Sequence, residues 1–167
     1  AFDNVSTNLP VCNHRINKLI QQLFNMGIAV VISAGNAYEN YRLAFKNSIA
    51  TGLAYPAYFK NILVAMANDA DYKLAAFTQR NCEEDFDFGN YIFSAIGTDT
   101  ISTGISSTNA ISVLSGSSQA AAVLSGLYCQ MLNRMRVGND SIHPMQVIRK
   151  LNTVALRIEE NMADASN

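Results

Sequence analysis

Gly27-Ile28-Ala29-Val30-Val31-Ile32-Ser33-Ala34-Gly35-Asn36 is the stretch that decides the fold. Residues 28–32 are apolar without alternation and rich in β-branched side chains. A strand with one wet face alternates; one that is apolar throughout is buried on both faces, as in a parallel sheet covered by helices. Just upstream, Ile16, Leu19, Ile20, Leu23 and Phe24 recur at i, i+3, i+4, i+7, i+8 spacing. That spacing predicts an amphipathic helix over 13–26, with Asn13 as N-cap and Gly27 as the residue that ends it.

Further along, residues 62–67 form a second buried-strand candidate and 91–95 a third, with a short strand expected at 73–77. Residues 37–61 are polar and aromatic with turn residues, and are expected to be a long surface excursion. The acidic run at 83–87 reads as a solvated loop, and 98–115, rich in Ser, Thr and Ile, as short strands with turns. Residues 118–135 predict a long helix, small or apolar through Leu127 and therefore expected to be buried. Residues 137–141 break it, and Pro144 sits at N1 of a last helix, 144–158, with Ser141 or His143 at its approach. This order of elements predicts an α/β layered fold with a mainly parallel sheet.

The 167 residues fit one domain or a large piece of one, and 49% hydrophobic against 15% charged residues sustains a core. A net charge of −1 gives no basic field for nucleic acid or an anionic membrane. No apolar run reaches the ~18–20 residues that span a bilayer. The opening AFDNVSTNLP has neither the basic nor the apolar region of a signal peptide. Cys12, Cys82 and Cys129 show no CxxC spacing, so no zinc site is expected. Cys129 reads as a small core residue. Cys12 and Cys82 lie in polar segments and would be able to pair in a secreted protein; the sequence alone does not decide it. Asn4-Val5-Ser6 and Asn139-Asp140-Ser141 match the glycosylation sequon, a pattern too short to carry an argument.

The chemistry concentrates in Gly116-Ser117-Ser118-Gln119-Ala120-Ala121-Ala122, between a strand-like and a helix-like run. A Gly-led turn there puts a hydroxyl at a helix N-terminus, where backbone N–H groups are unpaired and the dipole favours negative charge. Such a serine serves equally well as a nucleophile that generates an oxyanion or as an ordinary N-cap.

Three motifs in order resemble the C-terminal portion of a subtilisin-like serine protease domain, a subtilase. Residues 27–36 are similar to the family's helix-to-strand unit ending in A-A-G-N. Tyr55-Pro56-Ala57-Tyr58-Phe59-Lys60-Asn61-Ile62-Leu63-Val64-Ala65 looks like its Y-P-A-x-x-x-x-V-I-A-V-G segment, and residues 73–77 like the following A-x-F-S strand. Residues 116–126 are similar to G-T-S-M-A-T-P-H-V-A-G, and Ser94-Ala95-Ile96-Gly97 stands where the family has A-P-G. The resemblance implies a three-layer α/β/α fold with a mainly parallel sheet. It implies Ser118 as nucleophile, with its own N–H and the Asn36 amide as oxyanion donors. Ser117, at the family's Thr position, would support the oxyanion hole. Ser33, Ala34 and Gly35, with Tyr55 and Pro56, would border the substrate pocket, and extended peptides would bind as an added strand. Ala122 and Ile96 depart from the family's Pro, Val123 from its His, and Gln119 from its Met; none of these removes a reacting group.

A subtilase also needs an Asp and a His that precede the Ser. His14 sits in no H-G-T-H context, His143 abuts Pro144, and Asp85, Asp87, Asp99 and Asp140 match no family motif. The general base is therefore expected outside this chain. Residues 1–167 then read as the C-terminal portion of one catalytic domain, its Asp and His on an N-terminal fragment or companion chain of the same protease. Expressed alone, such a portion is expected to aggregate or to need its other part. The alternative is an inactive subtilase-like pseudoprotease acting as an interaction module. An α/β-hydrolase fails on the missing Gly-x-Ser-x-Gly elbow. The expected partner is a peptide or protein substrate, with no nucleic acid and no membrane span. No cofactor and no metal site is expected; calcium enters only by family resemblance, since no loop has a DxDxDG pattern. Resemblance also implies a secreted, secretory or vacuolar setting.

Overall fold

The computed structural model describes residues 15–44, 52–80, 91–138 and 141–156. His14, Cys12, Cys82, Asp85, Asp87, Asp140, both sequon asparagines and the acidic run lie outside the described residues.

Helix α1 (Arg15–Asn25) ends where Gly27 adopts φ +85°. There the Ile28 N–H donates to Leu23 O at 2.9 Å and the Gly27 N–H to Phe24 O at 3.0 Å, the paired bonds of a Schellman cap. The chain then enters β1 (Val31–Ser33), which pairs in parallel with β2 (Leu63–Asn68), itself parallel to β3 (Tyr91–Ile96). The order β1-β2-β3 makes β2 the centre, and it is buried at every position but the half-buried Met66. The strand β1 begins three residues later than residues 28–32 predict and is half-buried, because among the described residues β2 covers only one of its edges.

The two faces of the sheet bury different sets of residues. On one, Leu63, Ala65 and Ala67 pack under α3 (Ser117–Met135) and α4 (Pro144–Val154) through Ala120, Leu124, Tyr128, Val147, Ile148 and Leu151. On the other, Ile62 and Val64 lie under Ile20 of α1 and under Leu53, Ala57, Tyr58 and Phe59. The expectation of a surface excursion at 37–61 is thus corrected. A short helix, α2 (Tyr38–Ala44), occupies part of it, and residues 53–59 form a lid on the sheet that buries aromatic rings against one another. Its Tyr and Phe residues are core material, and burial of their large apolar area outweighs the turn chemistry around them. The expected strand at 73–77 is reduced to one bridge, Leu74 to Asn68. Next to it, buried Thr78 accepts from the Ala67 N–H at 3.0 Å through its hydroxyl.

Residues 100–114 form an antiparallel ribbon, β4 (Thr100–Thr103) with β5 (Ile111–Leu114), leading into α3. Helix α3 is not buried all round: Ser117, Ala120, Leu124 and Tyr128 form its buried stripe, while Leu127 is 47% exposed. Cys129 is exposed and free, not a core residue, because it falls one position past the stripe. Among the described residues no helix is long and apolar enough to cross a membrane.

This stripe predicts a contrast. Leu124→Ala removes a side chain at 2% exposure and is expected to cost about 2–5 kcal/mol. Leu127→Ala, one turn on, is expected to stay within about 0.5 kcal/mol. Urea unfolding of the intact protein measures both; equal losses would place the stripe wrongly.

Candidate active site

The site forms where β1 leaves the sheet at its C-terminal end. The Ala34 N–H still donates to Ala65 O at 2.9 Å, and then Gly35, at φ +108°, turns the chain. No L side chain fits there: a Cβ on Gly35 would coincide with Gln79 Oε1 and come within 2.7 Å of Ala54 Cβ. Asn36 itself is not in the left-handed region, so it is not a turn residue tolerated for its backbone.

Its side chain is held from another part of the chain. Asn36 Oδ1 accepts from the Ser117 backbone N–H and from the Ser117 hydroxyl, each at 2.8 Å. Ser117 Oγ in turn accepts from the Gly35 N–H at 3.1 Å. Ser117 is 1% exposed while Asn36 is exposed, so the cycle runs from the interior to the surface and joins segments more than eighty residues apart. An amide group is planar; with Oδ1 committed to Ser117, Nδ2 faces the other way. A Cβ placed on Gly116 would stand 2.8 Å from Gln119 Oε1, 3.2 Å from Asn36 Nδ2 and 3.8 Å from Ser118 N. Glycine at 116 therefore lets the Asn36 amide, the Ser118 N–H and the Gln119 side chain come together at the start of the helix.

Ser118 is the second residue of α3 and is exposed. The N-cap is Gly116, without a side-chain cap bond, so Ser118 is not the cap. Among the described residues neither the Ser118 N–H nor Asn36 Nδ2 has an acceptor. Helix α3 starts over the sheet because Gly97 lacks a Cβ, which would meet Ala67 Cβ at 2.7 Å and Gly116 O at 2.8 Å. The Gly116 N–H donates to Gly97 O at 2.7 Å. An exposed hydroxyl thus lies beside two unpaired N–H donors at the positive end of a nineteen-residue helix. That arrangement is suited to charge developing on oxygen.

Beside it residues 33–35 and 52–55 run together, tied by the Ala54 N–H to Ala34 O at 2.8 Å. Ser33 and Gly35 are half-buried on the first segment, whereas Ala34 is fully buried and packs into the core. On the second, Tyr55 and Pro56, joined by a cis peptide, are half-buried. The Tyr55 ring packs on Phe59 at 5.5 Å and on Tyr58 at 5.9 Å. Burial, then the neighbouring Tyr55, pushes the Tyr58 hydroxyl above its ordinary pKa. Gln79 bridges both segments: its N–H donates to Gly35 O at 2.9 Å and its Nε2 to Gly52 O at 3.1 Å. The family pattern marks no function at 79, and no sequence signal singled Gln79 out.

His143, the one histidine among the described residues, is engaged elsewhere. Its Nδ1 accepts from the Met145 N–H at 3.2 Å, and its own N–H donates to Gln146 Oε1 at 2.8 Å, a capping box at the start of α4. Its ring meets Phe24 edge-on at 4.9 Å. Phe24 precedes β1 and Asn36 follows it, so His143 and Ser118 lie toward opposite ends of the parallel sheet. Asp99, at φ +48°, is an exposed turn residue whose N–H donates to Ser115 Oγ. Among the described residues no three His, Cys, Asp or Glu side chains gather as a metal site would require.

A parallel sheet with helices, a glycine-led helix start and an asparagine facing it define a subtilisin-like α/β fold. The chain belongs to the subtilase family, whose model matches residues 4–160. Among solved structures it is similar to the prenylagaramide maturation protease PagA, at TM-score 0.67 and 19% identity, over 91% of this chain and 48% of that one. It is also similar to the patellamide maturation protease PatG, at TM-score 0.66 and 18% identity, over 86% of this chain and 40% of that one. The chain thus spans about half the length of these proteases or less. No curated protein matches it in sequence.

The capping role of His143 gives a direct test. His143→Ala is expected to cost about 0.5–2 kcal/mol of stability, and His143→Asn, which keeps a capping acceptor, to recover most of it. Thermal unfolding of the intact protein measures both; no loss in the alanine variant would contradict the cap.

Proposed function

We propose that this chain carries the nucleophile and the oxyanion site of a serine endopeptidase. Ser118 Oγ attacks the scissile carbonyl, and the oxyanion is received by the Ser118 N–H and Asn36 Nδ2. The carrying observation is that both donors lie about Gly116 beside an exposed hydroxyl, and neither has an acceptor among the described residues. Ser117 acts through Asn36: its hydroxyl hydrogen is spent on Asn36 Oδ1, so it positions the donor and does not meet the oxyanion itself. Ser33, Gly35, Tyr55 and Pro56 border the side chain of the acyl residue. The proton of Ser118 passes to a His held by an Asp, both supplied by another segment of the same protease, because His143 is tied up as a cap. Peptide or protein chains are the substrates.

The intact protein should react with a fluorophosphonate at Ser118, and Ser118→Ala should abolish the label. Asn36→Ala should lower kcat by about 10²–10³ with little change in KM, the cost seen when a subtilisin loses this kind of donor. His143→Asn should leave peptide hydrolysis unchanged. A folded, intact protein that takes no label would instead be an interaction module.

A further inference from the structure

We propose that Gln119 supplies a third donor to the oxyanion, its side-chain amide turning over so that Nε2 replaces Oε1 beside Asn36. This rests on the endopeptidase assignment of the preceding section. Gln119 is the third residue of α3 and is half-buried. In a capping box, a glutamine at this place folds back to accept from the backbone N–H of the N-cap residue. That bond is not made here, because the Gly116 N–H is committed to Gly97 O at 2.7 Å. The side chain folds back all the same. A Cβ on Gly116 would stand 2.8 Å from Gln119 Oε1, so the amide lies over the face that glycine leaves bare. The same point is 3.2 Å from Asn36 Nδ2 and 3.8 Å from Ser118 N. Among the described residues the Gln119 side chain has no hydrogen-bond partner.

Oxygen is the end of the amide nearest these two donors. It suits the empty site, where the unpaired N–H groups carry partial positive charge and no anion is present. It does not suit an oxyanion, which an amide carbonyl repels and an amide N–H attracts. Terminal amide torsions are broad and two-fold, so a half-turn about the last side-chain bond puts Nε2 where Oε1 stood. The charge that forms in the reaction drives that turn. The new bond therefore belongs to the transition state and not to the ground state, and it acts on kcat rather than on KM. Because the amide reorients as the charge appears, its contribution is smaller than the factor of about 10²–10³ that a donor oriented beforehand supplies.

The test compares the intact wild type with two variants. Gln119→Met keeps the length of the side chain and lacks the N–H; Gln119→Glu keeps its shape and offers acceptors only. Gln119→Met is expected to lower kcat about tenfold with KM unchanged, and Gln119→Glu to lower it further. A peptide aldehyde and the corresponding peptide alcohol separate a donor from a packing role. With the aldehyde, Ser118 Oγ bonds to the carbonyl carbon, the π pair moves onto oxygen, and the hydroxyl proton passes to the general base. The alcohol presents the same side chains and forms no oxyanion. Gln119→Met should bind the aldehyde about tenfold more weakly and the alcohol as the wild type does. If Gln119→Met does not fold, Gln119→Glu decides through the same two ligands. Wild-type kcat and aldehyde affinity in the variants, or an equal loss on aldehyde and alcohol, would overturn the role of Gln119 while leaving Ser118 reactive toward an alkyl fluorophosphonate. Failure of the wild type to take that fluorophosphonate would overturn the endopeptidase assignment, and this proposal with it.

Discussion

The site depends on the hydrogen-bonded cycle of Gly35, Asn36 and Ser117. A lone exposed asparagine rotates freely and presents oxygen or nitrogen as the solvent dictates. Here the Ser117 N–H and hydroxyl both claim Oδ1, and the Gly35 N–H holds the hydroxyl in place. The orientation of Nδ2 follows from the planarity of the amide. Because Ser117 is buried, removing its partner leaves the Ser117 N–H and hydroxyl without one at a buried position. An oxyanion donor is most effective if it is oriented before the charge appears, and in the proposed reaction the cycle would supply that preorganisation to Asn36.

The fold brings the members of this cycle together. Asn36 arrives at the C-terminal end of β1 and Ser117 at the start of α3, each fixed by the central strand β2 from a different side. Ala34 continues the ladder onto Ala65, while the absent side chain of Gly97 lets α3 begin against Ala67. Glycine recurs where a Cβ has no room, against side chains at 35 and 116 and against Ala67 and the Gly116 carbonyl at 97. The apolar lid of Leu53, Tyr58 and Phe59 covers the opposite face of the sheet. An exposed hydroxyl near a helix N-terminus and a facing amide thus grow out of one layer contact.

The parts of this arrangement legible in the sequence are those set by local pattern. Gly27 as helix stop, residues 62–67 as a doubly buried strand, and Pro144 after a capping residue depend on signals within a few positions. Asn36 and Ser118 were legible as a pair because their motifs resemble a known family; residue chemistry alone left Ser118 equally good as a cap. What pattern did not give depends on tertiary coverage. The aromatic stretch after Tyr55 looks like exposed turn sequence until one sees that it is the second cover of the sheet. Leu127 and Cys129 look buried by composition, and only the position of the α3 stripe leaves them exposed. Gln79 carried no signal, because its place beside Gly35 comes from bonds to Gly35 and Gly52, distant in sequence and individually unremarked.

The most direct measurement is a crystal structure of the intact protein with a phosphonate bonded to Ser118. The account predicts a phosphoryl oxygen about 2.7–3.1 Å from both Asn36 Nδ2 and the Ser118 N–H, with Asn36 Oδ1 still bonded to Ser117. A phosphoryl oxygen turned to solvent, or an Asn36 amide freed from Ser117, would contradict it.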